Sequence, residues 1–302
     1  MIAVIVRRLL SVIPTMLAAS AVIFCLLRVV PGDPVDALAL EGGISPERAE
    51  MLRQELGLTL PLPIQYLHWI GTAATGDLGV SLRSDFKVGW LIWQALPRTA
   101  LLAAYAIVIG LLIGVPLAFA AVAWPRSVFA GLATTISTVT VAVPGFAIAI
   151  GGLLLFAVWL RWVPATQSVV LPAAVLGLDF AGTLIRFLRA DLETQVGSDY
   201  VRTALAKGQS RRGIMLRHVA RNGLITGITV LGLAFGNLVT GATIIETIFD
   251  WPGLGLLAID AIRARDYPIV QGAVLFMALA FAVVNVVADI LYAAADPRVR
   301  LD

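Results

Sequence analysis

Six strongly apolar stretches of the chain carry no Asp, Glu, Lys or Arg: Leu9–Leu27 (19 residues), Thr99–Pro125 (27), Ser127–Leu160 (34), Trp162–Leu178 (17), Asn222–Ile245 (24) and Ile269–Ala288 (20). A helix needs ~20 mostly apolar residues to cross a hydrocarbon core about 30 Å thick. The pattern therefore predicts an all-α membrane protein with six transmembrane helices. The fourth run reaches full length only by continuing past Asp179 through Phe180–Ile185. The third is longer than one span needs, which predicts a tilt or an extension beyond the core. A membrane barrel would show alternating segments of ~10 residues instead. With 59% hydrophobic and 14% charged residues, a soluble fold would leave too much apolar surface in water. A disordered chain would be far poorer in apolar residues.

The small basic excess, 22 Lys+Arg against 19 Asp+Glu, follows topology and gives no reason to invoke nucleic acid. With both termini in the cytoplasm, 13 basic residues lie inside, among them Arg7, Arg8, Arg126, Arg186, Arg189 and all six of the 202–221 cluster. The other 9 lie outside with 12 acids, which is the positive-inside bias. Arg7-Arg8 and the apolar run after them resemble a signal peptide, but the run continues past Ala19-Ser20-Ala21 to Arg28 and reads as a retained first span. Cys25 is the sole cysteine, so no internal disulfide forms.

The first span stops at Arg28-Val29-Val30-Pro31-Gly32-Asp33-Pro34. The external region that follows has its own elements. Ser45-Pro46-Glu47 reads as a helix start, Gly57 as its stop, Pro61-Leu62-Pro63 as a second start, and Gly76-Asp77-Leu78-Gly79 as a turn. Trp69, Trp90 and Trp93 suit a membrane boundary. Pro116 and Pro144-Gly145 fall inside spans, where they imply a simple kink or a gating element. Gly151-Gly152 and the series from Gly227 to Gly241 would permit close helix approach.

The most informative segment is the internal stretch from Arg189 to Arg221. Ser198-Asp199 reads as a cap, Val201, Ala204 and Leu205 as a small apolar face, Gly208 as a stop, and Ser210 as the cap of a helix carrying Arg211 and Arg212. Two short amphipathic helices could rest on anionic lipid or dock a cytoplasmic protein. Here Asp199-Tyr200-Val201-Arg202-Thr203-Ala204-Leu205-Ala206-Lys207-Gly208, then His218-Val219-Ala220-Arg221-Asn222, closely resembles the cytoplasmic "EAA" loop of binding-protein-dependent ABC importer permeases, in their dipeptide/oligopeptide/nickel branch. Pro31-Gly32-Asp33-Pro34, Leu56-Gly57-Leu58, Gln65-Tyr66-Leu67 and Gly76-Asp77-Leu78-Gly79-Val80-Ser81 are similar to that branch too. So are Glu246–Gly255, Ala264–Gly272 and Asp296-Pro297-Arg298. Arg202-Thr203-Ala204 stands where the general motif has Glu-Ala-Ala, and Gly223 and Thr226 also depart from it.

That resemblance implies a type I importer permease fold (MetI-like) in the bacterial inner membrane. It divides the chain into a first helix plus external region (1–96), a five-helix permease core (97–295) and a cytoplasmic tail (296–302). The core holds a coupling loop at 189–221 and an external re-entrant element at 246–268. It further implies that Tyr200, Arg202, Thr203, Ala204, Lys207, Gly208, Ser210, Arg211 and Arg212 seat on an ATPase. Glu246, Phe249, Trp251, Pro252 and Gly253 would face a solute-binding protein and the entrance. The implied partners are a second, homologous permease (a heterodimer), two ATP-binding subunits, an extracytoplasmic solute-binding protein and membrane lipid. The cargo would be di- or oligopeptides, with nickel or another small solute as the alternative.

The residues agree that the energy comes from elsewhere. A phosphate-binding loop must end in Gly-Lys-Ser/Thr, but the only lysines, Lys87 and Lys207, follow Phe86 and Ala206. ATP and Mg would be bound by partner subunits, with no cofactor or metal in this chain. A membrane-embedded hydrolase lacks a nucleophile–base pair here, and His68 and His218 fall on opposite sides of the expected membrane. The rival reading is a secondary transporter or channel, which would use ionisable groups inside the spans. Asp179, Arg186 and Asp289 are the candidates. Asp179 and Arg186, seven apart, share a helix face and read as a polar pair within the bundle.

Overall fold

A computed structural model of the chain describes residues 2–29, 33–40, 44–215, 219–220, 223, 227, 230, 232 and 242–295. Outside these fall Pro31-Gly32, His218, Arg221-Asn222, Thr226, most of the fifth apolar run and the 296–302 tail, together with the side chains of Arg7, Arg8, Arg211, Arg212 and Asp289. The helices are α1 (Ile2–Val29), α2 (Pro34–Leu40), α3 (Pro46–Glu55), α4 (Leu62–Ala74), α5 (Val88–Ala123), α6 (Val128–Ala142), α7 (Gly145–Gly152, continued by π-helical turns over Leu153–Trp159), α8 (Val170–Val196), α9 (Asp199–Ala206), α10 (Arg211–Ile214), α11 (Leu254–Arg263) and α12 (Tyr267–Ala295). Residues 242–248 are helical as well. The one isolated bridge among the described residues pairs Val80 with Lys87.

Among the described residues, four helices are long and apolar enough to span a membrane: Leu10–Val29 of α1, α5, α8, and Tyr267–Val287 of α12. The third apolar run behaves differently from the expected tilted span. It breaks into Val128–Ala142 and Gly145–Trp159, bent by 108°. The cause is local. Proline disfavours helical backbone at the preceding residue, and here Val143 is extended (φ −111°, ψ 123°) and Pro144 follows at ψ 138°. Two successive non-helical residues turn the chain, where a simple kink needs none. By contrast Pro116 sits within an unbroken α5.

The short elements follow their local chemistry. Ser45 caps α3 by accepting the Arg48 N–H at 3.2 Å, and Gly57 ends it at φ +64°. Asp77 accepts the Gly79 N–H at 2.9 Å inside the predicted turn.

The chain divides into two compact units. One consists mainly of Ala100–Trp251. In it α8 lies against α5 and α6 at small residues. A Cβ on Gly177 would meet Ile109 at 2.7 Å, and one on Gly182 would meet the Thr140 hydroxyl at 2.0 Å. Of the glycines expected to permit close approach, Gly151, Gly152 and Gly227 have no described atom within 4 Å of such a Cβ, and Gly236 and Gly241 lie outside the described residues. The core gathers Leu102, Ala106, Leu176, Ile245, Phe249 and Trp251.

The other unit joins Val6–Thr99 to Pro252–Ala282, a pairing that the expected boundary at 96 does not anticipate. Its core is Leu27, Val88, Ile92, Leu254, Tyr267 and Val270. Asp266, 1% exposed, accepts the Ser81 hydroxyl at 2.6 Å, the Leu82 N–H at 3.1 Å and the Ile269 N–H at 3.4 Å. Gly272 admits Val88, whose Cγ1 would lie 2.6 Å from a Cβ there.

Candidate functional site

The corner formed by α9, Gly208 and α10 is anchored on one side and open on the other. Val201 and Ala204 are buried and pack with Leu188 and Leu192 of α8, Ala118 of α5, and Ile214 and Val219. Leu205, expected on the same face, is exposed. An apolar groove of about 950 Å³, lined by Phe119, Ala123, Trp124, Leu205 and Met215 among others, runs beside it. Tyr200, Arg202, Thr203, Lys207, Gly208 and Ser210 are exposed.

Within this corner the hydrogen bonds stay local. Ser198 occupies the cap position but makes no cap bond; its hydroxyl donates to the Gln195 carbonyl at 2.6 Å. The Tyr200 hydroxyl donates to Gln195 Oε1 at 2.8 Å. Arg202 approaches Asp199 at 3.6 Å across open surface, an arrangement of little energetic weight. Gly208 stands at φ +77°, and a Cβ added there would have nothing within 4 Å. Its need for glycine inside this chain is therefore the left-handed turn. Ser210 accepts the Gly213 N–H at 3.2 Å and starts α10, as its sequence position predicts.

The α8 helix presents a second polar surface. Its inner face is apolar, with Leu176, Phe180, Leu184, Ile185 and Leu188 buried. Asp179 and Arg186 are both exposed on the outer side. No ion pair joins them, so they are not a closed pair inside the bundle. The Arg186 guanidinium carbon lies 5.6 Å from the Phe187 ring centre. One turn further along, Arg189 donates to the Thr134 hydroxyl of α6 at 3.0 Å and pairs with Glu193 at 2.8 Å. Arg189, Thr134, Thr135 and Thr138 line a recess of about 570 Å³. A charged residue facing lipid near the middle of a spanning helix costs about 2.5–3.5 kcal/mol on an insertion scale. This face is therefore poorly suited to lipid.

The turn at 246–253 does not present the surface expected of it. Glu246 is fully buried, Phe249 and Trp251 fill the core of the Ala100–Trp251 unit, and Gly253 is buried too; Pro252 alone is partly exposed. The Phe249 carbonyl accepts the Gln167 N–H at 3.4 Å, and the Trp251 N–H donates to the Glu246 carbonyl at 2.8 Å. The resemblance implies that these side chains face a partner; within this chain Phe249 and Trp251 pack into the apolar core instead.

Sequence reasoning also missed a polar cluster in the unit that contains α4. Arg28 donates to Gln65 Oε1 at 2.7 and 3.1 Å and lies over the Phe24 and Tyr267 rings. Gln65 in turn donates to the Leu58 and Leu60 carbonyls. Nearby, Arg53 binds Asp33, Asp36 and Glu50, hydrogen bonds that push its pKa above the usual arginine value. The signal available in sequence was the resemblance itself, since Gln65, Ser81, Asp266 and Gly272 all belong to the family-like motifs. Among the described residues, no three His, Cys, Asp or Glu side chains gather as a metal site.

Comparison with known proteins covers nearly the whole chain. Residues 106–301 match the family described as binding-protein-dependent transport system inner membrane component, and residues 1–103 match its N-terminal companion. The chain is 36% identical to the glutathione transport system permease protein of Escherichia coli O6:H1 over 305 residues, 98% of each chain. It is 35% identical over 313 residues, again 98% of each, to a relative from Brucella suis biovar 1 that carries a provisional peptide-permease name.

Proposed function

Because this chain belongs to the family of inner-membrane components of binding-protein-dependent transport systems, we propose that it forms half of an ATP-driven pathway importing short peptides. The chain is a multi-pass inner-membrane protein, and its family implies an ATPase and a solute-binding partner. The finer reading is ours. Six spans place both termini in the cytoplasm, and a second permease completes a heterodimer. Two ATPase subunits dock below, and the binding protein delivers cargo from above. This chain catalyses nothing and holds no cofactor.

The observation that carries this reading is the α9–Gly208–α10 corner. Its apolar side is anchored to α5 and α8, while its polar side is left open. A push on that open side is transmitted to two spanning helices through packed side chains, because close-packed interiors pass strain on rather than absorb it. Peptide cargo is supported by the names of the relatives, which concern glutathione and peptide transport.

Reconstitution tests it. The complex of this chain, its second permease and its ATPases, in proteoliposomes with the binding protein, takes up short peptides only when ATP is supplied on the ATPase side. Uptake driven by an ion gradient without ATPase subunits would overturn the reading. ATP-driven uptake of a nickel complex but not of peptide would keep the machinery and replace the cargo.

A further inference from the structure

We infer that Asp179 and Arg186 line the water-filled translocation path and hold the two ends of the peptide cargo, Asp179 its ammonium and Arg186 its carboxylate. This rests on the peptide-permease reading above. Two opposite charges stand exposed on one face of a helix whose other face is buried in apolar packing. Neither is neutralised by an ion pair with the other. Ionisable groups in such a position mark aqueous pathways through membranes.

The spacing suits the cargo. Seven residues of helix separate the two groups by about 10 Å along the axis. An extended peptide advances ~3.3–3.6 Å per residue, so about three residues bridge them. A zwitterionic peptide offers the complementary charges in the complementary order. The peptide groups between its ends need hydrogen-bonding partners, and Thr134 and Thr138 are exposed on α6, which packs beside α8. Both charges flank the midpoint of α8, so each end of the peptide is met within the span.

The chain supplies its own background for the test. Cys25 is its only cysteine, so Cys25→Ser permits single-cysteine variants. In the assembled complex in proteoliposomes, Asp179→Cys and Arg186→Cys should react with a charged, membrane-impermeant thiosulfonate. Leu112→Cys, at an exposed apolar position on α5, should not. In uptake assays Asp179→Asn should raise the KM for a free tripeptide by about tenfold, the weight of one charge-assisted hydrogen bond, while Asp179→Glu keeps most of the activity.

Unreactive cysteines at both positions, as expected if a partner helix seals this face, would overturn the inference. So would unchanged tripeptide KM in Asp179→Asn. If the unmodified complex takes up no peptide at all, the failure belongs to the functional reading, because thiol reactivity is scored without cargo.

Discussion

The unit built from Val6–Thr99 and Pro252–Ala282 holds polar groups, Asp266 and Arg28, that turn inward onto partners within the chain. On α8, Asp179 and Arg186 instead stand exposed. Asp266 accepts three hydrogen bonds in near-complete burial, and Arg28 is held by Gln65 and two rings. Asp179, Arg186, Arg202 and Lys207 are exposed. The contrast separates scaffold from working surface. Satisfied buried groups fix a structure, whereas exposed charges beside apolar packing remain available to water, cargo or other subunits. The two regions should therefore respond to mutation in opposite ways, one in stability and the other in transport.

The largest effect is expected at Asp266. Asp266→Ala leaves the Ser81 hydroxyl and the Leu82 and Ile269 N–H groups without their acceptor, a loss on the order of 3 kcal/mol. The thermal midpoint of the detergent-solubilised protein should fall sharply, and an unchanged midpoint would remove the distinction between the two regions. Next comes Gly272→Val, which drives a side chain into fully buried Val88. Overpacking of this kind costs about 1–3 kcal/mol. Combining it with Val88→Ala should recover most of the loss, and no recovery would mean that the clash is not the cause. At the small end stands Arg202→Ala. Its 3.6 Å contact with Asp199 lies in open solvent, so the melting curve should not move. Reduced peptide uptake with an unmoved melt would strengthen the contrast, whereas a destabilised protein would blur it.

Which of these features can be read from sequence depends on how far apart the interacting residues are. The Ser45 cap, the Gly57 stop, the Gly76–Gly79 turn and the Gly208 turn were all legible, because each is decided by a few neighbouring residues. The first, second and sixth apolar runs fall almost wholly in helices long and apolar enough to span for the same reason, whereas the fourth joins α8 only from Val170 onward. The third run shows the limit. Pro144 announces a disturbance, but only the extended backbone at both Val143 and Pro144 turns it into a 108° break. Bonds between distant positions were invisible. Ser81 and Asp266 are 185 residues apart, and nothing local to either predicts the other. Burial misled in both directions. Glu246 and Trp251, which the resemblance would have facing a partner, are buried, while Asp179 and Arg186 read as an internal pair and are exposed. Side-chain polarity sets the cost of burial, but the rest of the fold decides whether that cost is met.

On the reading proposed above, the exposed corner at Gly208 passes work from an ATPase into the spanning helices. Among the described residues nothing crowds a side chain at Gly208, where the constraint is its φ of +77°. Gly208→Ala and Gly208→Trp therefore carry a similar backbone strain of about 1 kcal/mol and differ mainly in the bulk they present outward. The decisive measurement is peptide uptake, with binding-protein-stimulated ATP hydrolysis, by complexes carrying each variant at equal membrane levels. The Ala complex should keep much of its uptake, while the Trp complex should lose both uptake and stimulation. Full uptake by the Gly208→Trp complex would contradict transmission through this corner.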